Sequence, residues 1–177
     1  MAGRKQLLII LLFVLFIIEG TVVPWIIPDS WLPRIGHNFV FIAILFVTVY
    51  YHRHSALVLG IIFGLLHDVV FYGHMIGPYS FAMGLTAYLI GLFFKSPRAT
   101  MPVMMMMVIL GSLLFDTILF FTYKLFRLNQ ESYNWALLEY MIPTVFIHFI
   151  FALIIYVPLR KQLDRLTRRR VTKKDKV

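Results

Sequence analysis

The chain has no cysteine. Disulfides, thiol nucleophiles and thiolate metal sites are therefore excluded. Acids are scarce, with 8 Asp and Glu against 17 Lys and Arg in 177 residues, and no polar stretch is long enough to fold as a soluble domain. Its glycines stand in the wrong context for a phosphate-cradling loop, and no nucleophile triad is discernible. What fills the chain instead is apolar, 60% of its residues at a mean hydropathy of +0.84, well above the roughly 45–50% of soluble domains. Such a sequence is built for a bilayer.

Spanning the hydrocarbon takes roughly 20 apolar residues in a helix. About six segments qualify: 6–23, 37–51, 55–72, 78–94, 101–123 and 135–157. The expected fold is all-α and polytopic, with residues 1–158 as one transmembrane domain and 159–177 as a basic cytoplasmic tail. The second segment is short of a bilayer's thickness, and His37, Tyr50 and Tyr51 are the residues that would anchor it at the interfaces. The first segment starts with Arg4 and Lys5 and offers no small-x-small cleavage site at Glu19 to Pro24, so it reads as an uncleaved span. Pro143 is expected to kink the last span and Pro158 to help end it. Trp25 and Trp31 suit an interfacial belt.

Orientation follows from the cations, which stay on the cytoplasmic side. With six spans, Arg4, Lys5, Arg53, Lys95, Arg98 and the nine Lys and Arg of the tail share one side, 14 in all, and Arg34, Lys124 and Arg127 are the 3 on the other. Both termini are predicted to be cytoplasmic. The formal charge of +9 thus belongs to topology and to a tail on anionic lipid, not to nucleic-acid binding. Leu159, Leu163 and Leu166 give that tail one apolar side, which leaves a docking helix as the alternative. Met104 to Met107 point around a whole helix and read as packing.

Four acids, Glu19, Asp68, Asp116 and Glu139, fall within predicted spans, roughly 6–10 Å below the outer surface at 1.5 Å per residue. A carboxylate there costs about 2.5–3.5 kcal/mol on insertion scales, so it turns inward and finds partners. Candidate partners are His67, Tyr72, His74, Tyr88, Ser112, Lys124 and Arg127. Gly60, Gly64, Asp68 and Tyr72 recur every four residues, a small and polar face suited to another helix. If Asp68 and Asp116 faced each other without a cation they would share a proton. Three readings follow: hydrogen-bonded helix locking, partner docking, or a ligand, ion or catalytic site. An intramembrane aspartyl protease is disfavoured, since neither Asp68 nor Asp116 is preceded by Gly-x-Gly. His52 and His54 splay apart on a helix and read as a wet turn rather than a metal pair. His148 reads as a neutral core histidine.

The stretch Gly64-Leu65-Leu66-His67-Asp68, followed by Gly77-Pro78-Tyr79-Ser80-Phe81-Ala82-Met83-Gly84-Leu85 and Tyr88-Leu89-Ile90-Gly91, resembles the core signature of the rod shape-determining MreD family. Gly64, Asp68, Gly77, Phe81, Tyr88 and Gly91 are the matching positions. The resemblance implies a non-enzymatic, cofactor-free component of the bacterial elongation machinery in the inner membrane. Its implied partners are MreC, a single-span protein, and indirectly the actin-like MreB filament and the transglycosylase and transpeptidase of the wall. It also implies the six-helix fold of the substrate-binding subunits of energy-coupling-factor transporters, which supplies an alternative function, vitamin binding. The first span lacks the Ala-x-x-x-Ala docking motif of those subunits. On this reading Gly60, Gly64 and Asp68 meet Ser80, Gly84 and Tyr88, and with Ser112, Asp116 and Glu139 they build an internal polar core that shapes the partner surface. A lipid or lipid-linked precursor would instead require a pocket lined by Asp68, Asp116 and Glu139. Self-association stays open.

Overall fold

The computed structural model describes residues 2–22, 25, 36, 38–71, 75–94 and 99–174, with side chains described between 6 and 163. Trp31, Arg34, His37, Tyr72, His74, the turn 95–98 and the tail side chains beyond 163 lie outside that description. Every regular element among the described residues is helical: α1 (Ala2–Thr21), α2 (Phe39–Tyr50), α3 (Arg53–Val70), α4 (Pro78–Phe93), α5 (Met101–Leu125), α6 (Tyr133–Ala136) and α7 (Ile142–Lys174). A π-helical turn, Leu137–Met141, joins α6 to α7, and the residues on either side of it keep right-handed helical angles. Arg53–Val70, Met101–Leu125 and Tyr133–Leu163 are each long and apolar enough to cross a membrane, and Gln6–Thr21, Phe39–Tyr50 and Pro78–Phe93 are shorter apolar helices.

The shortest of the six apolar segments is the centre of the molecule. In α2 every residue from Val40 to Tyr50 is buried, because a helix apolar on all sides is stable only where protein surrounds it. Its 12 residues span about 18 Å at 1.5 Å each, and an encased helix need not match the bilayer. Tyr50 is accordingly no interfacial anchor: it is buried, and its hydroxyl donates to the Ala99 carbonyl at 3.1 Å.

Around α2 the other helices present one stripe inward. On α1 this stripe is Leu8, Leu12, Leu15, Phe16 and Glu19, while Leu7, Ile10, Phe13, Val14 and Ile17 face out. Phe16 meets Phe63 of α3 and Phe71 at its C-terminal cap, at 6.4 and 5.5 Å between ring centroids. On α5 the buried set Met104, Met107, Val108, Gly111, Phe115 and Leu119 faces α2, where Phe115 stacks on Phe41 at 4.5 Å. Met104, Met105 and Met107 are in the core and Met106 points out.

Two sequence expectations change in α7. The helix continues through Pro158 to Lys174 instead of ending there, and Leu159 and Leu163 are buried in the main core, so packing extends into the segment assigned to the tail. Pro143 follows the π-helical turn with Ile142 between them. Its ring would crowd the carbonyl four residues back, at Glu139, and a wider turn relieves that crowding without breaking the rod.

Candidate functional site

Helix N-termini leave amides without intrahelical acceptors and carry a partial positive charge. Two such termini, those of α2 and α4, lie at the same end of the bundle, and each is met by a buried carboxylate from the preceding long helix. Asp68 of α3 accepts from the Gly77 and Ser80 amides through Oδ2, at 2.9 and 3.3 Å, and from the Tyr79 amide through Oδ1, at 3.2 Å. Glu19 of α1 accepts the Val40 amide through Oε2 at 3.1 Å, and its Oε1 lies 3.4 Å from His67 Nε2. The charge that is costly in lipid is thus spread over oriented amides. Asp68 caps a neighbouring helix, and no hydrogen bond joins it to Asp116 among the described residues.

Below the Asp68 cap the backbones of α3 and α4 touch. A Cβ on Gly64 would lie 2.4 Å from Ser80 Cα, and one on Gly60 would lie 3.0 Å from Gly84 Cα. The Ser80 hydroxyl donates to the Ile61 carbonyl at 3.1 Å across this seam. Close approach of small residues is how membrane helices gain van der Waals contact when lipid competes for apolar surface. The turn itself needs Gly77, whose φ of +121° is open only to glycine.

A second polar region lies between α5 and the π-helical turn. A cavity of about 270 Å³ is lined there by Asp116, Tyr123, Glu131, Trp135, Glu139 and Tyr140, among others. Asp116 is 2% exposed, and neither of its carboxylate oxygens has a hydrogen-bond partner among the described residues. Ser112, one turn earlier, is committed elsewhere: its hydroxyl pairs with His148 Nδ1 of α7 at 2.9 Å.

The structure therefore splits the residues grouped as one polar core. Gly60, Gly64, Asp68, Gly77 and Gly84 form the α3–α4 seam and its cap, whereas Asp116 and the exposed Glu139 belong to the cavity. Three residues leave the core. Phe81 points outward at 56% exposure, because it sits about a quarter of a turn round α4 from Ser80 and Gly84. Tyr88 lies at the other end of α4, beside His54 at 5.9 Å and under Arg53 at 5.6 Å. Gly91 is also at that end, where a Cβ would meet Arg53 Cβ at 2.6 Å. Tyr79, which stacks on His67 at 4.0 Å and lines the cavity, was not singled out from sequence. Its position beside Pro78 at the start of α4, at the level counted for Asp68, was the available signal. Tyr123 and Trp135 were also missed, although Asp116, Phe120 and Tyr123 share one helical face, as do Trp135 and Glu139.

The family model for rod shape-determining protein MreD matches residues 3–166. The rod shape-determining protein MreD of Bacillus subtilis (strain 168) is 27% identical over 138 residues, which cover 77% of this chain and 77% of that protein. No solved structure matches the chain.

Proposed function

From the premise that this chain belongs to the MreD family of rod shape-determining proteins, we propose that it is the membrane scaffold that holds an MreC-like single-span partner beside the wall-synthesis enzymes. It is a rod-shape-determining membrane protein and not an enzyme. The six apolar helical segments cross the inner membrane, with both termini and the basic tail in the cytoplasm. The 14-to-3 partition of cations between the two sides supports this orientation. The connection to MreB-like filaments, transglycosylase and transpeptidase runs through that partner. The helix arrangement follows the fold of the substrate-binding subunits of energy-coupling-factor transporters, an idea carried by the family resemblance alone.

The observation that carries the scaffold reading is the rigid α3–α4 pair with an apolar outer face. Glycine contacts and the Asp68 cap lock the pair inside, while Phe81 and the neighbouring Ile61 and Leu65 are exposed. Ile61 covers Gly84, one turn from Phe81, so the three form one ledge near the capped end. A single apolar helix from a partner fits such a ledge, and the family's acidic residue acts by holding it in shape. Co-purification from native membranes in mild detergent tests this. Phe81→Ala should lose the partner and leave the protein level unchanged, because an exposed side chain contributes little to the fold. Unchanged partner recovery with Phe81→Ala and with Leu65→Ala would refute the ledge.

A further inference from the structure

The scaffold reading gives the cavity beside Asp116 no task. Three carboxylates line it, Asp116, Glu131 and Glu139, and no lysine, arginine or histidine does so among the described residues. Tyr79, Tyr123 and Trp135 are among its aromatic walls. A buried carboxylate without a protein donor is costly in a low-dielectric setting. Aromatic faces beside carboxylates are the surroundings that attract a cation, by ring quadrupole and by charge. At about 270 Å³ the space falls just below the roughly 300–1,000 Å³ of drug-sized sites, so a headgroup fits and a glycosylated pyrophosphate does not. The negative lining also opposes a pyrophosphate.

One cation stands near the cavity without lining it: Lys124 Nζ lies 5.4 Å from the centroid of Phe120, a lining residue. The arrangement is negative inside and positive at the rim. We propose that this cavity binds the primary ammonium of an ethanolamine-phosphate group, with the ammonium on Asp116 between the aromatic walls, Glu139 adding negative charge to the same lining, and the phosphate toward Lys124. The group is carried either by an aminophospholipid of the membrane or by free phosphoethanolamine. The proposal takes from the scaffold reading only that the chain is embedded in a membrane. Its assay uses the isolated chain, so a failure here leaves partner binding untouched.

The test is native mass spectrometry of the full chain in detergent with equal amounts of phosphatidylethanolamine and phosphatidylglycerol. The expected result is about tenfold or greater preference for phosphatidylethanolamine, falling to parity in Asp116→Asn and sharply reduced in Glu139→Gln. Asp116→Asn keeps the side chain's shape and removes no hydrogen bond among the described residues. Should it fail to fold, Glu139→Gln and Trp135→Ala, at exposed positions, carry the same test. Displacement of the lipid by phosphoethanolamine would assign the headgroup alone as ligand, and displacement only by short-chain phosphatidylethanolamine would assign the lipid. Equal retention of the two lipids by the wild-type chain would overturn the proposal. So would wild-type preference in folded Asp116→Asn. Loss of the protein partner in Asp116→Asn with lipid preference intact would make the cavity a socket for a partner's basic side chain, and the proposal would fall.

Discussion

Gly64 and Ser80 are so close that a Cβ on the glycine would lie 2.4 Å from Ser80 Cα and 2.6 Å from its amide nitrogen. Backbone cannot yield as a side chain can, so Gly64→Ala must push α3 and α4 apart. Overpacking costs about 1–3 kcal/mol where side chains adjust, and here the upper end or more is expected. Gly111→Ala is the matched control, since its Cβ would meet Leu45 Cδ1 at 2.7 Å, the tip of a flexible side chain. Thermal unfolding in detergent should show Gly64→Ala clearly below Gly111→Ala. The reverse order would contradict the seam.

The separation of α3 and α4 would also disturb the Asp68 cap. Three amides, of Gly77, Tyr79 and Ser80, converge on that carboxylate. Asp68→Ala leaves them without an acceptor at about 1–3 kcal/mol for each that water cannot reach. Asp68→Asn keeps one carbonyl oxygen toward them, and asparagine is a good capping residue. The expected order of membrane protein level and melting temperature is wild type, then Asn, then Ala. If Asn were as damaging as Ala, the charge and not the cap would be the feature that matters.

Glu19 should behave as a weaker version of the same device. It accepts one amide, that of Val40, and also faces His67. Glu19→Gln retains a carbonyl for the amide and keeps a polar group beside the imidazole. A loss of about 1 kcal/mol or less is expected, whereas Glu19→Leu should cost about 2 kcal/mol because it strands both partners. Chemical denaturation of the two variants side by side measures the difference, and equal losses would mean that neither contact is formed in the membrane.

How far the sequence alone reaches depends on which physics sets each feature. Helix existence followed from apolar runs, and the common level of Glu19 and Asp68 followed from counting residues along helices. The purpose of that level was not legible, since a cap donated by one helix to another depends on tertiary placement. The four-residue spacing of Gly60, Gly64 and Asp68 pointed to a packed face, and α4 supplies its partner residues, Gly84, Ser80 and Gly77. The central place of α2 was hidden because shortness and uniform hydrophobicity read as a poor span before they read as a core. Phe81 came from motif resemblance, which carries no direction, so its exposure could not follow. Tyr88 was placed among the partners of the acids, although counting from Pro78 sets it about 15 Å further along the helix at 1.5 Å per residue. Asp116 and Glu139 shared a depth with Asp68, but depth does not say which helices enclose a residue. The π-helical turn at Leu137–Met141 also shifts the register that simple counting assumes.

A further interhelical bond joins Ser112 on α5 to His148 on α7, both fully buried, at 2.9 Å between Oγ and Nδ1. Ser112→Ala leaves His148 Nδ1 facing a methyl group, and an unsatisfied buried polar atom costs about 1–3 kcal/mol. Interhelical hydrogen bonds inside membrane bundles measure less, about 0.6 kcal/mol on average and about 1.7 at most, because the unassembled helices also find partners. A double-mutant cycle with Ser112→Ala and His148→Leu separates the two quantities. The coupling between the sites should be about 0.6–1.7 kcal/mol, and the double variant should be more stable than Ser112→Ala alone, since its apolar replacements leave neither partner unsatisfied. Additive losses would mean that the two side chains act independently and that α5 and α7 are held by packing alone.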